Sequence, residues 1–314
     1  RFLQYEARIA SKKASADFEL SNVVAIDAVL KQSIPYFRDL KIACGHFKSS
    51  EHELSEMIDV PKNYGKLDPS RHFVANATGN SMNGGMHPIK HGDLLLLEKI
   101  TPEHAGSISG KTIAIERQGS TGDDQYLLRN VIKISDQQYT LIAQNTEYEP
   151  MDADEDMKTL AFLKSVIDPA DVYAHKEFMR EDIPPIFGLE FNKGAWEAGH
   201  VRPKASEDQF LLVTLNKQGK VMEQQYKDYF VDQTTFHWQS QASTLSNSAK
   251  GKALQQDKNV HLFVRKNKLS GGKASPFYYL GKLDYQNHQG EAPMSVIWKL
   301  QTALPTELLS HFQI

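Results

Sequence analysis

Gly79-Asn80-Ser81-Met82-Asn83-Gly84-Gly85 leads, through Met86-His87-Pro88, into Ile89-Lys90-His91-Gly92-Asp93-Leu94-Leu95-Leu96-Leu97. Glycines on both sides of a serine let the backbone bend sharply and let a second chain segment approach closely. A turn of this kind can hold a serine oxygen beside backbone N–H groups that act as an oxyanion hole. The same composition is also common in turns that do nothing but reverse the chain. The leucine run after Gly92-Asp93 reads as a β segment.

Outward from this stretch, β texture extends over about residues 71–168, with segments at 93–98, 112–116, 126–134 and 139–143 separated by Gly, Asn, Asp and Ser. Upstream, Phe18, Leu20, Val23, Val24, Ile26, Val29 and Leu30 form a helical apolar stripe, predicting a helical connector over about residues 1–40 with the helix itself ending near 32. Ser33-Ile34-Pro35 stops the pattern, because a residue preceding proline is pushed out of the helical region. Downstream, the polar segment 169–186, with its Pro184-Pro185 pair, reads as a linker. Further β segments follow over 187–314: 209–215 and 221–225 as a hairpin about Asn216-Lys217-Gln218-Gly219, then 260–265, 277–285 and 295–300. The expected fold class is therefore mainly β with flanking helices (α+β), in two domains at 41–168 and 187–314.

Bulk composition narrows the function classes. The chain has 314 residues, 40% hydrophobic and 24% charged, with a formal net charge of -3. That balance argues against nucleic-acid binding by overall basic charge, but leaves room for a local basic groove. The single cysteine, Cys44, permits no disulfide within the chain and points to a reducing, cytoplasmic setting. No apolar run reaches the roughly 18 residues of a membrane span, so no membrane partner is expected. No Walker or helicase motif occurs. The first residue is Arg1, not Met; the expectation is the C-terminal portion of a longer protein, with any nuclease or motor upstream.

The Ser81 segment resembles the active-site signature of the LexA/UmuD family of self-cleaving serine peptidases. The resemblance spans about residues 35–168. Gly110-Lys111-Thr112-Ile113-Ala114-Ile115 resembles the family's next strand, and Ala143-Gln144-Asn145-Thr146-Glu147-Tyr148-Glu149-Pro150 its Pro-x-Asn-Ser-x-Tyr-x-Pro segment, with Ala143 in place of the proline. Lys41-Ile42-Ala43-Cys44-Gly45 resembles the self-cleavage region, which implies a cut between Cys44 and Gly45.

The family activates its serine with a deprotonated lysine, and here the resemblance breaks. The matching strand, Tyr126-Leu127-Leu128-Arg129-Asn130-Val131-Ile132, places Arg129 at the lysine position. A guanidinium with a pKa above about 12 is a poor general base. Lys133 shares the strand face but lies about 13 Å further along it, too far to substitute. Two readings follow: Ser81 still cleaves with another base, or, the favoured one, the domain is a pseudo-peptidase kept for docking or homodimerisation. Cys44 beside His46 makes a poor catalytic pair; a lone buried cysteine is usually a small apolar residue.

The second half interleaves aromatics with amides: Tyr226-Lys227-Asp228-Tyr229-Phe230, Thr235-Phe236-His237-Trp238-Gln239-Ser240-Gln241, Leu262-Phe263-Val264-Arg265, Pro276-Phe277-Tyr278-Tyr279-Leu280-Gly281 and a run from Ala292 to Leu300. Aromatic faces stack on bases and amides suit base edges, although aromatics such as Phe236, Phe263 and Phe277 are core residues in most strands. Lys204, Lys250, Lys252, Arg265, Lys266, Lys268 and Lys273 can line a phosphate track. His237, His261, His288 and His311 show no paired metal-ligand spacing, and neither a metal nor a cofactor is expected.

This half resembles the C-terminal domain of bacterial superfamily-two helicase/nuclease proteins, including type IV, modification-dependent restriction enzymes. The resemblance implies an SRA-like β-barrel that binds double-stranded, methylated DNA in restriction and phage defence, with a base such as 5-methylcytosine flipped into it. The base-binding candidates are Tyr229, His237, Trp238, Gln239, Ser240, Gln241, Arg265 and Tyr279. On this reading the region itself is non-catalytic; the alternatives are a self-cleaving peptidase and an oligomerisation module.

Overall fold

The computed structural model describes residues 31–42, 56–101, 106–117, 125–136, 138–204, 206–217 and 227–314. The chain divides into two units, at Ile167/Asp168. The described residues are mostly strand, and none of their helices is long and apolar enough to cross a membrane.

The first unit is built on β1 (Lys31–Ile42), β2 (Glu56–Pro61), β3 (His72–Ala77), β4 (Leu94–Lys99), β5 (Thr112–Arg117), β6 (Gln125–Ser135), β7 (Gln138–Ile142), β8 (Met151–Asp152) and β9 (Met157–Ile167). They form one sheet in the order β2-β1-β3-β4-β9-β5-β6-β7-β8. Only the β1–β3 pairing is parallel among these; each other neighbouring pair is antiparallel. Strand β4 is bracketed by β3 and β9, and all four leucines of its run are at most 1% exposed. Burying such a side chain contributes roughly 1.5–3 kcal/mol, so this run anchors the sheet. Leu95 and Leu97 join Phe73, Met82, Ile89 and Tyr126 in one core cluster; Ile113, Ile115, Val131 and Leu141 form another.

The second unit begins with a short helix α1 (Pro169–Tyr173) and continues with β10 (Glu177–Phe178), helix α2 (Lys193–Trp196), β11 (His200–Val201), β12 (Gln209–Asn216), β13 (Tyr229–Asp232) and β14 (Thr235–Gln239). Helix α3 (Ala249–Gln256), β15 (Val260–Asn267), β16 (Leu269–Ser270), β17 (Lys273–Ala274), β18 (Phe277–Gln289), β19 (Ser295–Leu300) and helix α4 (Thr306–Phe312) complete it. The main sheet runs β11-β12-β15-β18-β19-β14-β13, with β10 added on β18 and the β16–β17 hairpin apart. Trp298, Phe236, Leu280 and Leu283, each 0% exposed, centre its core, which α4 covers through Phe312 against Phe230 and Tyr278.

Three sequence expectations are corrected here. The helical pattern does not reach residue 32, because Lys31 and Gln32 already pair with Pro61 and Val60 in a strand whose Ile34 and Tyr36 alternate into the core. Residues 1–30, and with them the apolar stripe, lie outside the described residues. Segment 169–186 is not a linker: Val172, Tyr173 and Ile183 are buried, and Phe178 pairs with Phe277 and packs on Phe263. Of the polar residues that suggested a linker, Lys176, Glu177, Glu181 and Asp182 are exposed. The second domain is not an SRA-like barrel: among the described residues its sheet stays open, ending at β11 and β13. Strand β12 takes β15 as a parallel neighbour; of the hairpin expected between 209–215 and 221–225, the second arm lies outside the described residues.

Candidate functional site

Ser81 sits in the loop between β3 and β4, and several contacts hold that loop in shape. Ile89 N donates to Met82 O (2.9 Å) and Asn145 N donates to Ser81 O (3.0 Å). Asn145 Nδ2 donates to Asn80 O (3.2 Å), and Gly79 N donates to His91 Nδ1 (3.2 Å). The Gln144 amide, turned so that its nitrogen faces acceptors, donates to Met82 O (3.0 Å), His87 O (3.0 Å) and Gly84 O (3.2 Å). A Cβ on Gly84 would lie 2.4 Å from the Gln144 carbonyl oxygen. Glycine is therefore required there by close approach, as the Gly-rich sequence suggested.

Arg129 projects from β6, and its Nη1 donates to Ser81 Oγ (2.7 Å) and to Leu128 O (2.8 Å). The serine oxygen thus accepts a hydrogen bond from a cation. A general base would do the opposite, taking the serine proton. Arg129 is only 5% exposed, and its Nε has no partner among the described residues. Burial pushes its pKa down, opposed by nearby Tyr148; a guanidinium starting above about 12 still remains charged at neutral pH. Lys133 is turned elsewhere, paired with Asp136 at 2.7 Å. Cys44 and Gly45 lie outside the described residues.

The second unit carries a cavity of about 810 Å³. One part of its wall is formed by His200, Trp238, Gln239 and Gln241, with Thr214, Asn216 and Asn267. His200 is 5% exposed, its Nε2 2.8 Å from Gln209 Oε1, and its ring meets Trp238 edge-on at 5.7 Å. Burial first, then Lys250, lowers its pKa to about 4, so it is neutral at pH 7. Another part of the wall is cationic: Arg180, Arg265 and Lys268. These three, with Glu197 and Leu269, also line a neighbouring cavity of about 580 Å³.

Residues 35–167 match the Peptidase S24-like family. The first unit carries a Peptidase S24-like domain. Residues 172–312 match a domain of unknown function, DUF3427. No curated protein matches the chain. The S24-like match covers the serine loop, β6 and the Asn145 segment, so Ser81 and Arg129 fall on the LexA/UmuD-type fold that the sequence resemblance implied.

In the DUF3427 domain the expected base-binding residues separate into three groups. Trp238, Gln239, Gln241 and Arg265 come together at the cavity. Ser240 and Tyr279 do not reach it: both are 0% exposed, Ser240 bonded to Met294 N (2.9 Å) and Tyr279 OH lying 2.7 Å from His261 Nδ1. Tyr229 and His237 stack on each other at 4.6 Å outside the cavity lining. Strand alternation separates His237 from Trp238, but not the rest: adjacent Trp238 and Gln239 both reach the lining, while Ser240 does not. Sequence reasoning missed Arg180 and His200. Arg180 sat in the supposed linker, and His200 lies on a strand of two residues, too short for any periodic signal. Nothing local could have raised Arg180, which is followed directly by Glu181-Asp182 and reads as an ordinary surface charge.

Proposed function

We propose that the DUF3427 domain binds double-stranded DNA and takes one extruded base, such as a methylated cytosine, into its cavity, while the S24-like domain serves as a non-catalytic module. The observation that carries the first part is the cavity itself, whose wall combines an aromatic ring, amides and a neutral histidine with arginines. An extruded base requires an apolar face to stack on and a few polar groups at its edge. Leu212, Val213 and Trp238 offer apolar contacts for a base methyl, and Gln241 and Asn216 offer edge contacts. The reading no longer leans on an SRA-like barrel. The resemblance to restriction-enzyme tails supports a place in a defence protein.

The test is a mobility-shift titration of methylated and unmethylated duplexes at several salt concentrations. Binding that favours the methylated duplex and weakens with salt supports the reading; equal, negligible binding to both sinks it. A Trp238→Ala variant is expected to lose the methyl preference.

For the S24-like domain the supporting observation is the Arg129–Ser81 hydrogen bond, which places a cation, not a base, on the serine. Prolonged alkaline incubation followed by intact-mass measurement checks it. The expected result is an unchanged mass; a Ser81-dependent cut at Cys44-Gly45 favours the self-cleaving reading. Homodimerisation through this domain belongs to the same proposal, and a monomeric sedimentation mass at high concentration removes it.

A further inference from the structure

We infer that Arg180 and Arg265 form a phosphate-binding site on the wall shared by the two cavities of the DUF3427 domain. Both guanidinium groups lie over the ring of Phe277, with Cζ to centroid distances of 5.1 Å for Arg180 and 4.3 Å for Arg265. One phenyl ring therefore carries two like charges. Arg265 is 7% exposed; its Nε donates to Thr214 Oγ1 (3.0 Å) and its Nη1 to Ser275 O (3.1 Å). Arg180 donates to the carbonyl of Trp196. All three acceptors are neutral.

Among the described residues, no carboxylate lies within 4 Å of either guanidinium. Glu197 and Glu181 stand near enough to Arg180 to favour its charged form. Arg265 has no such relief, and burial together with Arg180 lowers its pKa to about 10. It is still a cation at pH 7. A desolvated cation beside a second cation calls for an anion, and a planar fork suits a phosphoryl group. Lys268, exposed on the same wall, adds a third positive charge.

The placement gives the anion its class. The cationic wall separates a cavity of about 810 Å³ from one of about 580 Å³. A phosphodiester seated on that wall would have a base-sized space on one side and room for the adjoining nucleotide on the other. This deepens the proposed DNA reading and rests on it for the identity of the ligand, since a free phosphorylated compound offers the same phosphoryl chemistry.

Isothermal titration of the full chain separates the two sources. The probes are a deoxycytidine 5′-monophosphate, inorganic phosphate, and a duplex. Saturable binding of the monophosphate is expected, about tenfold weaker in Arg180→Gln and in Lys268→Gln, with melting temperatures confirming the fold. Arg265→Gln is expected to weaken it further; if that variant unfolds, the other two carry the test. Duplex binding that falls in parallel supports the DNA source. Phosphate and monophosphate binding that depends on Arg180, without duplex binding, keeps the site and removes the DNA reading. No saturable binding of any probe, or binding indifferent to Arg180→Gln and Lys268→Gln, overturns the site.

Discussion

Arg129 and Arg265 are both buried arginines without an acidic partner within 4 Å among the described residues, yet their surroundings differ. Arg129 closes a tight loop: one nitrogen spans Ser81 Oγ and Leu128 O, and Nε has no partner. Arg265 lines a cavity beside Arg180, with neutral oxygens on two of its nitrogens. The same residue type holds a serine oxygen in one case and lines the wall of a cavity in the other. An arginine can hold an oxygen or an anion, but it cannot accept a proton. The difference teaches that what surrounds the guanidinium, rather than its burial, decides whether it closes a loop or faces open space.

The largest effect is expected from replacing the guanidinium by an amine that can lose its proton. On the proposed non-catalytic reading, Arg129→Lys is predicted to give the chain self-cleavage at alkaline pH, since burial depresses a lysine pKa. Intact mass between pH 7 and 10 reads this out, and adding Ser81→Ala must abolish the product. If the unsubstituted chain already cleaves at the same rate, the contrast between the two arginines collapses.

Next comes the tightness of the serine loop. Gly84→Ala drives a methyl group into the Gln144 backbone and is expected to cost about 3 kcal/mol, the upper end for overpacking. Thermal unfolding of the first unit should fall accordingly. An unchanged transition would mean that the loop around Arg129 yields to admit the methyl group, and is not the tight enclosure that sets Arg129 apart from Arg265.

The cavity has its own acid limit. His200 has a folded pKa of about 4, below its ordinary value of 6.5. The folded form therefore binds fewer protons than the unfolded chain between these values, and stability falls as pH drops from about 6.5 towards 4. A shift of this size corresponds to a loss of up to roughly 3 kcal/mol at about 1.4 kcal/mol per unit. His261, also depressed by burial, acts in the same direction. Denaturant unfolding against pH should show the slope, and His200→Gln should flatten part of it. A slope identical in that variant would detach the effect from the cavity.

The smallest effect is Ser81→Ala. It removes one hydrogen bond from a buried cation that keeps Leu128 O as a partner, and about 1–2 kcal/mol is expected. Chemical denaturation would measure it. A gain in stability would show that Arg129 is strained against the serine instead of satisfied by it.

Much of the fold was legible along the chain. The leucine run, the glycine-bracketed serine and the strands at 112–116, 126–134, 260–265 and 277–285 announce themselves by local composition, because strand periodicity and turn chemistry are properties of neighbouring residues. The substitution at Arg129 was equally plain, since proton affinity belongs to the side chain itself.

What only the tertiary structure decided depends on residues far apart in sequence. The parallel pairing of β12 with β15, the absorption of 169–186 into the second unit, and an open sheet instead of a barrel all arise from long-range pairing. The cavity is of the same kind: Arg180, His200, Trp238 and Arg265 meet there from four separate segments. Meanwhile Ser240, between the cavity residues Gln239 and Gln241, is claimed by the core, as is Tyr279. Local patterns fix which face a side chain takes relative to its neighbours; packing decides whether that face meets core, cavity or water.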